Sequence, residues 1–131
     1  MVFGWGESHD AHQEVYDQDG PKHEAKFSHE LIAGAAAFEG FKLFEDHQRK
    51  QGKPVSHAFA KELLAGFAAG EVDKLIETKG RDYYDAEQAK HQAKRNAEHM
   101  YDQHYVQHHG AEEYNPNQYG PPPRINEQYG N

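Results

Sequence analysis

Residues 30–45 read ELIAGAAAFEGFKLFE and residues 62–77 read ELLAGFAAGEVDKLIE. Set side by side at an offset of 32, the two stretches agree at ten of sixteen positions without a gap, from Glu30/Glu62 and Leu31/Leu63 to Leu43/Leu75 and Glu45/Glu77. In both, apolar residues recur at three- and four-residue intervals, the period of a helix. Ser28 and Ser56 are strong N-caps, and Phe27 is placed to reach Ile32 as a hydrophobic staple. Gly52 and Pro54 stop the first segment, and Gly80 offers a left-handed residue after the second. The spans so predicted are Ser28–Lys50 and His57–Lys79. The link between them is short enough to make them antiparallel neighbours. Two copies do not make a solenoid, so the reading is a pseudo-symmetric antiparallel helical hairpin.

Residue size suggests how the hairpin packs. Leu31, Phe38 and Phe41 form one apolar stripe, and Leu64, Phe67, Val72 and Leu75 form its counterpart. Each interior glycine costs a helix up to about 1 kcal/mol relative to alanine. The pairs Ala36/Gly40 and Gly66/Gly70 are therefore expected where another backbone approaches closely. A third helix is predicted from about Asp85 to His108, with Ala86, Ala89, Ala93, Ala97, Met100 and His104 on one face. That face is mostly alanine, so it must pack tightly.

Outward from this core the chain becomes polar. Residues 1–26 read as an irregular acidic arm, with Trp5 between Gly4 and Gly6 as a packing anchor. Residues 110–131 read as a disordered or polyproline-like tail rich in Pro, Tyr and Asn, with Pro121-Pro122-Pro123 within it. The expected fold is all-α: the hairpin and a third long helix over residues 27–109, with flexible termini.

Composition narrows the function. Leu, Ile, Val and Phe number 20 of 131 residues, and 15 of them fall between Phe27 and Gly80. A core this poor in large aliphatics gains by burying a shared face, which points to a homo-oligomer. There is no cysteine, which excludes disulfides, thiolate metal sites and thiol nucleophiles. The net charge is −8 with no basic cluster, so nucleic acid is not an expected partner. No apolar run is long enough to span a bilayer, and Met1–Asp10 lacks the features of a secretory signal. A cytoplasmic protein that does not insert into membranes is expected.

The hairpin and its flanks resemble the fungal CipC-like family of antibiotic-response proteins, named for the concanamycin-induced protein C. The residues that carry the likeness are Gly4-Trp5-Gly6, Tyr16-Asp17, the run Pro21 to Lys26, and Ser28-His29-Glu30-Leu31-Ile32. Phe44-Glu45-Asp46-His47 and Gly52-Lys53-Pro54 follow, then the longest stretch from Ser56-His57-Ala58 to Glu77-Thr78-Lys79-Gly80. The likeness covers Phe3 to Met100, and the His- and Tyr-rich end departs from it. It implies a small, mostly helical fungal protein, abundant under stress or drug exposure, with no established reaction or cofactor. No catalytic residue is carried over.

Residues able to do chemistry have simpler readings beside them. His104 and His108 stand at i and i+4 and on an α-helix point the same way, so they are the candidate metal pair. Two imidazoles do not make a zinc site and no carboxylate shares their face, so solvated histidines are the competing reading. His9, His12 and Glu7 form a looser cluster of the same kind. His29, Glu30, Glu45, Asp46, His47, His57 and Glu62 mark the helix ends and could act as acids and bases, but capping and surface ion pairs account for them. Asn115-Pro116-Asn117-Gln118-Tyr119 lacks the spacing of a familiar peptide motif.

The leading expectation is thus a non-enzymatic stress or antibiotic-response protein acting through protein interaction or self-assembly. A sequestration protein for a small molecule or metal comes second, and would need a pocket among Phe38, Phe41, Phe44, Phe59 and Phe67. An undescribed His/Glu-dependent enzyme comes third, and would need a buried His–carboxylate pair facing a cleft. No cofactor is expected.

Overall fold

The computed structural model describes residues 4–16, 29–79 and 86–120. They form four helices: α1 (Trp5–Tyr16), α2 (His29–Gln51), α3 (His57–Lys79) and α4 (Ala86–Tyr101). A π-helical segment, Asp102–His108, continues α4 without a break. The all-α class and the helical hairpin of α2 and α3 agree with the sequence reading. The Ser28 cap, the Gly80 terminus and the triple proline lie outside the described residues.

The ends of the hairpin show why it folds where it does. Gly52 takes a φ of 67°, which only glycine adopts without strain, and its N–H caps the Gln48 carbonyl at 3.0 Å. Ser56 Oγ accepts the Phe59 N–H at 3.1 Å and so starts α3. At the crossing, a β-carbon built on Gly40 would lie 2.7 Å from Ala68 Cα. Gly40 stands eleven residues before the end of α2 and Ala68 eleven after the start of α3, as an antiparallel hairpin requires.

Helix α2 lies at the centre, against α1, α3 and α4, and α3 also packs on α4. This asymmetry breaks the equivalence of the repeated stretches. Gly34 is buried and its counterpart Gly66 exposed, while Glu45 is buried and Glu77 exposed. The close approach expected at both small-residue pairs occurs at Gly40 and not at Gly66 or Gly70, where an added β-carbon would meet none of the described residues within 4 Å. The buried core joins Phe38, Phe41 and Phe44 to Leu64, Val72 and Leu75, to the alanine face of α4, and to Met100, Tyr101, Tyr105 and Tyr114.

Both ends depart from the sequence reading. The arm expected to be irregular contains α1, whose inward face is Ser8, Ala11 and His12. Two of these three are polar, so the helical period is invisible in a hydropathy pattern. Trp5 does act as an anchor: its Nε1–H donates to the Met100 carbonyl at 2.9 Å, and its ring lies 4.8 Å from that of Phe41. Residues 110–120, expected within a disordered tail, fold back over the core. Val55 and Tyr114 exchange backbone hydrogen bonds of 2.9 Å in both directions. Asn115 to Tyr119 closes a turn, in which the Asn115 side chain accepts the Asn117 N–H at 3.0 Å.

Candidate functional site

Two places concentrate polar or apolar character that packing alone does not demand. The first is a buried cluster around Glu45. This residue follows Phe38 by seven and Phe41 by four, so it lies on the apolar stripe of α2 and is only 1% exposed. Its Oε1 accepts Arg49 Nε at 2.7 Å and the Tyr114 hydroxyl at 3.0 Å, and its Oε2 accepts the Tyr105 hydroxyl at 2.5 Å. Burial raises the carboxyl above its usual range, against the pull of Arg49 and the two phenols. Burial, reinforced by the Glu45 charge, also raises the phenol pKa values of Tyr101, Tyr105 and Tyr114. The surface ion-pair reading of Glu45 is therefore corrected.

Arg49 ties this cluster to the returning chain. Its guanidinium donates to the Tyr105 hydroxyl, the Pro116 carbonyl and the Tyr119 carbonyl, each at 3.0 Å. His57 makes a second tie. Its Nε2–H donates to the Ala111 carbonyl at 2.8 Å, which leaves Nδ1 to accept the Tyr101 hydroxyl at 2.6 Å. His104 makes a third, donating from Nε2 to the Gly120 carbonyl at 3.0 Å. These side chains clasp residues 111–120 to the bundle, and none of them lines either surface groove described below. The arrangement supports a structural clasp more directly than a reaction centre.

The π-helical segment changes the geometry on which the His104/His108 pair was predicted. A π turn sets neighbours five residues apart rather than four. The histidine ring that meets His104 is accordingly that of His109, at 4.7 Å between centroids and 89° between planes, beside the Tyr105 ring at 4.4 Å. The His108 side chain lies outside the described residues. No group of three or more metal-ligating side chains occurs among the described residues. His12 departs from its sequence cluster and bonds through Nε2 to Glu39 Oε1 at 2.9 Å. That bond, opposed by burial and aided by Lys42, lowers the Glu39 carboxyl below its usual range. Asp46, His47 and Glu62 are on the surface, as expected.

The second place is the outer side of α3. Leu64, Ala68, Val72 and Leu75 point into the core and Leu63 and Phe67 are half-buried at its edge, yet Phe59 is 51% exposed. Together with Glu62 and Gly66 these last three residues line an open groove of about 460 Å³. A second, mixed-charge groove of about 590 Å³ lies alongside, between Lys61 and Glu62 on α3 and Lys94 and Glu98 on α4. The phenylalanines expected to share one pocket are thus divided. Phe38, Phe41 and Phe44 fill the core, Phe67 is half-buried at its edge beside the His47 ring, and Phe59 is exposed.

Arg49 and Tyr114 were not recognised from sequence, because their roles depend on residues up to about 70 positions away that only folding brings together. Glu45 could have been found from its place on the Phe38–Phe41 stripe. None of the described helices is long and apolar enough to cross a membrane. No curated protein and no solved structure matches the chain. The family described as "Virulence factor CipC-like" does match, over residues 11–104, from α1 into the π-helical segment. That span is most of the chain and contains both the hairpin and the outer face of α3, so the protein belongs to the virulence factor CipC-like family.

Proposed function

We propose that this protein is a non-enzymatic stress- and antibiotic-response protein that works by associating with protein through the outer face of α3. The observation that carries the reading is the exposure of Phe59 beside Leu63 and Phe67 on a helix whose opposite side already fills the core. An apolar strip outside the core-facing stripe of a helix belongs against a partner, and among the described residues α3 packs mainly on α2 and α4. Family membership supports the stress-response part of the reading.

The test is a Phe59→Asp replacement of the chromosomal gene in the native host. Phe59 projects from the surface, so the variant folds and accumulates normally by circular dichroism and immunoblot. Loss of stress tolerance at normal abundance supports association through this face. Unchanged tolerance, in a host where deletion of the gene lowers it, refutes the proposal.

A further inference from the structure

We propose that the partner of this face is a second copy of the same chain, bound in antiparallel register; this rests on the association reading above and names its occupant. Phe59, Leu63, Gly66 and Gly70 follow one another at intervals of four, three and four, so they share one side of α3. Along that line the residues change from large to small. A two-fold axis crossing the helix between Leu63 and Gly66 brings Phe59 onto Gly70 of the second copy and Leu63 onto its Gly66. Each large side chain then sits over a position with no β-carbon and with open space above it. Leu63 also meets the second copy's Phe67 at the edge of the strip. A parallel pair would instead set large on large at one end and leave a gap at the other.

Charge favours the same direction. Lys53, just before α3, and Glu77, in its last turns, are both exposed. Antiparallel pairing places the Lys53 end of each copy beside the Glu77 end of the other, and it sets the two helix dipoles head to tail. The glycines point the same way. The helix propensity lost at Gly40 is offset by its close approach to Ala68, whereas Gly66 and Gly70 have no such approach among the described residues.

The size of the strip sets the strength. In this register α3, which is 23 residues long, overlaps its copy over residues 57–72, about 24 Å, and presents a strip about 10 Å wide. The pair would bury about 480 Å² in total, well below the roughly 1,200 Å² of stable dimers. Pairing is therefore weak, in the high-micromolar range, and it rises with the abundance of the chain.

Sedimentation velocity of the full chain, from about 5 to about 500 µM, tests this directly. The expected result is a reversible shift from monomer to dimer. Gly66→Leu fills the slot for the second copy's Leu63 while improving helix propensity. It should weaken pairing at least about tenfold and leave monomer melting unchanged or higher, which separates lost pairing from lost folding. Orientation is read from single-cysteine variants in this cysteine-free chain. A short bis-maleimide should link two copies of the Glu62→Cys variant, whose positions fall about 8 Å apart along the axis. It should not link two copies of the Glu77→Cys variant, where the separation is about 37 Å. A chain that stays monomeric throughout, a Gly66→Leu variant that pairs normally, or efficient linking of the Glu77→Cys variant overturns the proposal. If the chain is monomeric and Phe59→Asp still abolishes tolerance, the second copy is excluded and association with another protein stands. If Phe59→Asp is also silent, both readings fall.

Discussion

Gly40→Ala should destabilise the protein although it improves the helix. In α2 the change gains up to about 1 kcal/mol of propensity. The new β-carbon, however, would lie 2.7 Å from both Cα and N of Ala68 and 3.1 Å from the Phe67 carbonyl carbon. These are backbone atoms, so no side chain can rotate out of the way, and α2 and α3 must separate by several tenths of an ångström. That separation loosens the fully buried Phe41, Phe44 and Leu64 beside the crossing. Overpacking of this kind costs about 1–3 kcal/mol, and more where only backbone can yield. The net loss expected is about 1–2 kcal/mol, or roughly 4–10 °C in melting temperature for a chain of this size. Gly66→Ala and Gly70→Ala provide the control, because each adds the same methyl group to a helix with open space above it. At about 5 µM, where the chain is monomeric, each should gain about 0.5–1 kcal/mol. Urea denaturation followed by circular dichroism reads all three, with an unchanged slope showing that only stability moved. A Gly40→Ala midpoint at or above that of the parent would refute the account of the crossing.

The other expectations concern the clasp and the core. Tyr105→Phe removes a hydroxyl that donates to buried Glu45 and accepts from Arg49, and should cost about 1.5–3 kcal/mol in urea denaturation. Leu64→Ala empties a fully buried site and should cost about 2–5 kcal/mol, enough to unfold a marginally stable chain; an unchanged melting temperature would contradict the packing described. Glu39 has a depressed carboxyl pKa when folded, so its stabilising effect is present above its unfolded value near 4.5 and is lost as pH falls through the folded value. Melting of Glu39→Gln should consequently fall below the parent at about pH 7 and approach it as the pH falls through the folded value of Glu39. Amide exchange at Val55 and Tyr114 should be slow, since both N–H groups lie in the bridge that holds the returning chain, and exchange at the rate of a free tail would contradict the clasp.

Within the chain, the sequence alone was enough to determine the hairpin. Its two stretches carry their own periodicity, the Ser56 cap and the Gly52 stop, and these act between residues no more than a few positions apart. The start of α3 and the alanine face of α4 were legible for that reason. The roles of the two copies were not legible, because ten shared residues say nothing about how many neighbours each helix will have. Placing α2 at the centre buried Glu45 and Gly34, and left Glu77 and Gly66 at the surface.

The termini depended most on the tertiary structure. Trp5 has only glycines beside it in sequence and reaches Met100 across 95 positions. Tyr114 lies in a stretch whose composition suits a disordered tail, and is fully buried because Glu45, Phe44 and Val55 together offer an acceptor, an aromatic wall and a backbone partner. Local pattern records what a residue can do along its own helix. It does not record a carboxylate 69 positions away that needs a second phenol, and so the clasp, like the uncovered face of α3, emerged only when the helices were packed.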